Sequence, residues 1–155
     1  LATLPEVDSK RIGCMGFSMG AYRAWMLSAL SDKVKAGAAV CWMVTTDCQF
    51  SWEYGKERGG FANMLPGIRR YLDYPHIASI ACPKPMFFLN GEHDKLFPPV
   101  GVNAAFAEMR KVWESHSAGD KLVTELWDMP HDCGVKVQEA VLSFLNYNLA
   151  SVRGN

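Results

Sequence analysis

At 155 residues the chain has the size of one domain or a piece of one, long enough to bury roughly 68–70% of the surface its unfolded form exposes. Its 49% hydrophobic and 21% charged residues mark a globular composition; sixteen Lys and Arg against sixteen Asp and Glu leave no net charge, which excludes the electrostatic footprint of a nucleic-acid binder or a polybasic membrane binder. The longest apolar run, residues 36–44, is far short of the roughly 18–20 residues that span a bilayer, and five cysteines without a CxxC pair or zinc-type His/Cys spacing suggest buried thiols, not a disulfide framework or metal cage.

The chain opens at Leu1 and reads as though it begins inside a helix (LATLPEVDSKR); no signal peptide is visible, and the compartment stays open. Residues 11–16 (RIGCMG) form a short strand ending in glycine. Residues 19–30 are apolar almost all round, as in a buried helix, and 31–35 are a polar turn. The continuous apolar run 36–44 has the pattern of a strand covered on both faces. Residues 45–60 are polar and aperiodic, hence a loop, with short helices at 61–71 and 76–81, so that an excursion of about 45–81 separates the second strand from the third. That third strand is 85–90 (PMFFLN), started by Pro83 and Pro85. Val102, Phe106, Met109 and Trp113 recur at helical spacing; residues 121–127 alternate as a half-buried edge strand does, and Val137, Val141, Phe144 and Leu145 mark a last helix. Strands alternating with helices imply right-handed crossovers and an α/β fold with a mostly parallel sheet and helices on both faces, within one domain across 1–155. Chemistry in such sheets sits at the carboxyl ends of the strands.

The first strand runs out into Gly16-Phe17-Ser18-Met19-Gly20, a G-x-S-x-G followed at once by a helix. A sharp strand-to-helix turn lifts a serine hydroxyl above the sheet at the positive end of the helix, tolerates only small flanking residues, and aims the Met19 N–H where an oxyanion would form. Ser18 is thus a candidate nucleophile and Met19 a candidate oxyanion-hole donor. A serine needs a base, and the base an orienting acid. His131 follows the edge strand and Asp94 the third strand, and the chain order Ser18, Asp94, His131 suits a nucleophile, acid and base. Glu92 and Asp47 are competing carboxylates, and His93 a weaker histidine; His76 and His116 read as solvated. Trp42 at the end of the second strand, and Phe50, Trp52 and Tyr54 beyond it, either line a substrate pocket or pack as core and lid. Trp42 and Trp52 are the substrate-binding candidates. No residue set calls for a metal or cofactor.

The segments DSKRIGCMGFSMG, CPKPMFFLNGEHDKLFP and ELWDMPHDCG, in that order, resemble the nucleophile, acid and histidine motifs of the α/β-hydrolases, in particular the C-terminal part of the dienelactone-hydrolase-like and acetyl-xylan-esterase-like branch. The resemblance implies an ester hydrolase in which Ser18 attacks the carbonyl, His131 serves as base and then acid, and Asp94 orients it, on a small acyl (acetyl) or carbohydrate-linked ester. It also implies strands, and a loop with a second oxyanion donor, ahead of Leu1; the expected completion of the sheet is therefore an N-terminal segment or a second copy of the chain. Serine where dienelactone hydrolases proper carry cysteine argues against that one activity. A prolyl-oligopeptidase-like peptidase is the alternative enzyme, although Ala21 stands where that group usually has a further glycine. A non-catalytic relative is the remaining class.

Overall fold

A computed structural model describes residues 1–51 and 67–150. In chain order these form β1 (Ile12–Phe17), α1 (Met19–Leu30), β2 (Val34–Val40), α2 (Thr46–Gln49), α3 (Tyr74–Ser79), β3 (Met86–Gly91), α4 (Pro99–Ser115), β4 (Leu122–Trp127) and α5 (Val135–Ala150), with 3-10 turns at Ile68–Arg70 and Gly119–Lys121. The strands make one parallel sheet in the order β1-β2-β3-β4. Alternation along the strands divides the core in two. Met86 and Phe88 face a cluster built with α1, α3 and α4, while Phe87 and Leu89 face α5 through Val137, Val141 and Leu145. Helices therefore cover both faces, as the alternation of elements implies. β2 and β3 lie in the middle, almost wholly buried, and β4 is the half-buried edge that its sequence suggests.

The differences from the sequence reading have local causes. β2 stops at Val40, four residues before the apolar run ends, because Cys41 adopts a left-handed φ of 54° that breaks the ladder. Residues 42–44 stay buried without being strand. The expected loop after them begins instead with α2. The helix expected at 76–81 starts at Tyr74, since the Asp73 carboxylate accepts the Tyr74 N–H at 2.6 Å and His76 Nδ1 accepts the Asp73 N–H at 2.9 Å. His76 is thus a cap as well as a solvated residue. α1 is not buried all round: Ala21, Tyr22, Ala24, Trp25 and Ser28 face the core, but Leu27 is 49% and Leu30 71% exposed. Among the described residues, no helix is long and apolar enough to cross a membrane.

Candidate active site

The sharp turn after β1 is present. Ser18 has φ 53° and ψ −122°, a sparsely populated region that costs a non-glycine residue about 1–3 kcal/mol. Its N–H donates to the Val40 carbonyl at 2.8 Å, and its carbonyl accepts from the Ala21 and Tyr22 N–H groups as α1 begins. The turn closes so tightly that a Cβ at Gly16 would fall on the Gly20 carbonyl, whereas a Cβ at Gly20 would meet nothing within 4 Å. Met19 is the first residue of α1, so its N–H belongs to the helical turn that has no intrahelical acceptor.

Asp94 and His131 come together from different strand ends. His131 Nδ1 lies 2.7 Å from Asp94 Oδ2, and Asp94 Oδ1 accepts the Leu96 N–H at 2.8 Å. The Asp94 side chain is wholly buried and that of His131 is 24% exposed. With the carboxylate on Nδ1–H, the imidazole is left with Nε2 as its free basic nitrogen. Main-chain bonds hold the two loops together: the Glu92 N–H donates to the Trp127 carbonyl at 2.8 Å and the His93 N–H to the Met129 carbonyl at 3.1 Å. Gly91 permits this approach, since a Cβ there would collide with the Met129 and Pro130 carbonyls. The Phe17 ring, next in chain to Ser18, stands 4.8 Å from the His131 ring, and Phe97 stacks on its other surroundings at 6.0 Å and 25°. Ser18 and His131 are not hydrogen-bonded to each other in this structure, a contact that commonly tightens only when substrate is present.

The competing groups lie at the surface. Glu92 is exposed, Asp47 pairs with Arg69 at the surface, and His93 Nε2 meets Asp128 Oδ1 at 2.7 Å in solvent. His116 is exposed, as expected. Trp42, a substrate-binding candidate by sequence, is 2% exposed, its ring walled by Tyr22, Tyr74 and Phe97 at 4.7, 5.0 and 5.4 Å, so it packs as core. Trp52 and Tyr54 lie outside the described residues.

Two features escaped the sequence reading. Cys41, fully buried, places its Sγ within 4.8 Å of donor atoms of both Asp94 and His131. Its position at a strand end was the signal that could have found it. The three lie close enough to hold an ion, but Asp94 Oδ2 and His131 Nδ1 are bonded to each other, and burial pushes the Cys41 thiol up to about 11, so it holds its proton. The second feature is an open cavity of about 810 Å³ between the end of β4 and the first turn of α5, lined by Trp127, Met129, Asp132 and Lys136 among others. The Trp127 indole there is fixed by its Nε1–H donating to Glu125 at 2.8 Å.

Comparison with known proteins bears on this geometry. The model of the prolyl oligopeptidase family matches residues 1–148. The Bacillus subtilis (strain 168) protein named "Putative hydrolase YtaP" is 31% identical over 115 residues, covering 74% of this chain and 38% of its own length. Among solved structures, a carbohydrate esterase family 15 glucuronoyl esterase from Caldicellulosiruptor kristjansonii superposes with a TM-score of 0.73 at 16% identity, over 96% of this chain and 45% of that one. Methylesterase BT1017 does so with a TM-score of 0.71 at 22% identity, over 94% and 31%. The chain thus spans less than half the length of each of these relatives, and the two superpositions establish a shared fold.

Proposed function

The chain belongs to the prolyl oligopeptidase family of α/β-hydrolases, and from that premise we propose that it carries the reacting groups of a serine esterase acting on a small acyl (acetyl) or carbohydrate-linked ester. The observation that carries the proposal is the 2.7 Å bond between a fully buried Asp94 carboxylate and His131, whose ring lies 4.8 Å from that of Phe17, the residue before a serine in the strained turn. In the reaction, Ser18 Oγ attacks the ester carbonyl carbon as His131 Nε2 takes its proton. Asp94 holds the imidazole by Nδ1–H and stabilises the imidazolium. The oxyanion meets the Met19 N–H at the positive end of α1. When the intermediate collapses, His131 returns the proton to the leaving alcohol, and the Ser18 acyl ester remains. Water, deprotonated by His131, then releases the acid and restores the serine.

Three findings favour an ester over a peptide. Ala21 departs from the glycine usual in the peptidases, and two structural relatives are esterases by name. The cleft beside the His131 loop sets a fixed indole next to carboxylates, which suits a carbohydrate portion of the substrate. The peptidase reading is kept as the second, because the matching family model is the prolyl oligopeptidase one. In the full-length gene product, a fluorophosphonate probe is expected to label Ser18 and p-nitrophenyl acetate to be hydrolysed, both lost in Ser18→Ala. Labelling that survives in that variant overturns the assignment of the nucleophile. Turnover of prolyl p-nitroanilides with no turnover of acetyl esters replaces the esterase by the peptidase.

A further inference from the structure

Cys41 occupies a junction. The peptide group between Val40 and Cys41 braces two neighbours at once: its carbonyl accepts the Ser18 N–H at 2.8 Å, and its N–H donates to the Leu89 carbonyl at 2.7 Å. The backbone then turns left-handed at Cys41, φ 54°, a conformation that favours glycine. A side chain is nevertheless present, wholly buried. Its thiol donates to the Asp132 carbonyl at 3.6 Å, and Sγ lies within 4.8 Å of the Asp94 and His131 donor atoms. The Val40–Cys41 peptide group therefore ties the turn bearing Ser18 and the end of β3, and the Cys41 side chain ties the loop bearing His131.

We propose that Cys41 is a positioning residue for the Asp94–His131 pair, its S–H holding the Asp132 carbonyl, and with it the His131 loop, against the end of β2 while its body keeps water from beneath the carboxylate. The main-chain bonds from Glu92 and His93 grip this loop only as far as Met129. On the far side of His131, the Cys41 contact with Asp132 anchors the loop, with Gln138 Nε2 donating to the Cys133 carbonyl one residue further on at 2.8 Å. Loss of the thiol removes the contact nearest His131 on that side and leaves the more distant Gln138–Cys133 bond, which gives the loop more freedom to swing about Pro130. Serine preserves a donor at this place, and alanine does not.

The proposal rests on the esterase reading for its kinetic arm, and a second arm is independent of it. In the full-length gene product, Cys41→Ala is expected to lower kcat by about tenfold with KM within twofold, as when the base is held less well in the transition state with no loss of substrate binding. Cys41→Ser is expected to recover most of kcat. The proton NMR resonance of the hydrogen-bonded His131 Nδ1–H, far downfield in the wild type, is expected to broaden in the alanine variant and sharpen again in the serine one. Cys41→Gly removes the thiol and relaxes the left-handed backbone, so it tests the same loss should alanine fail to fold. Equal impairment of the serine and alanine variants overturns the proposal, because it reduces Cys41 to packing. So does an alanine or glycine variant with unchanged kcat and an unchanged downfield resonance. A wild type that leaves Ser18 unlabelled by fluorophosphonate overturns the esterase reading alone, and the resonance still decides the role of Cys41.

Discussion

Gly16 and Gly20 stand back to back across the turn that holds Ser18, and the demand for a small residue falls on only one of them. A Cβ at Gly16 would strike the Gly20 carbonyl; one at Gly20 would point into open space. The turn is closed by backbone meeting backbone, which cannot move aside as a flexible side chain can.

Gly16→Ala is accordingly expected to destabilise the protein severely and to abolish fluorophosphonate labelling, with Gly20→Ala folding near wild type. Urea denaturation of the two variants checks this. Equal destabilisation would show that the motif's glycines act through something other than this contact.

In the proposed reaction the Asp94 carboxylate, 2.7 Å from His131 Nδ1, holds the imidazole in the reactive tautomer, so Asp94→Asn is expected to cut turnover by about 10⁴ with little change in KM. Glu92→Gln and Asp47→Asn, both at exposed carboxylates, are expected to change turnover less than threefold, which follows from the small worth of surface charges. Steady-state kinetics on p-nitrophenyl acetate ranks the three. A larger effect at Glu92 or Asp47 gives the acid's role to that residue.

The buried Cys41 thiol, raised from 9.0 to about 11 by burial first and by the carboxylate of Asp94 among lesser causes, keeps its proton in the folded state where the unfolded chain has released it. Its contribution to stability is full below about pH 9 and is lost as the pH rises through about 11, because the unfolded state binds fewer protons in that window. Chemical denaturation at pH 7.5, 9 and 10.5 is expected to show the wild type losing stability relative to Cys41→Ser over this range. A constant difference between the two proteins across the series would contradict the sign.

Among the described residues β1 lies at one end of the sheet with Met15 41% exposed, and α1 beside it exposes Leu27 and Leu30. An open parallel edge next to apolar surface is a template for pairing with another strand. Residues 1–155 expressed alone are expected to self-associate, and light scattering at several concentrations measures this. A monodisperse monomer with full esterase activity would remove the need for any further strand at β1.

What the sequence determined by itself is what depends on near neighbours in the chain. The G-x-S-x-G turn was legible because the small residue it needs at Gly16 and the helix that follows are near neighbours in the chain. The parallel sheet was legible because β2 and β3 are buried on both faces and are apolar over most of their length, and β4 because a half-covered strand alternates. Tertiary structure decided the rest. The contact of Asp94 with a residue 37 positions away, and its burial, set it apart from the exposed Glu92 and Asp47, and local composition records neither. Trp42 became core and not pocket because Tyr22, Tyr74 and Phe97 arrive around it from three other parts of the chain. The apolar run through Val44 concealed the end of β2: hydrophobicity reports burial, and Cys41 and the residues after it remain buried although the left-handed backbone at Cys41 has already left the ladder to meet the loop of His131.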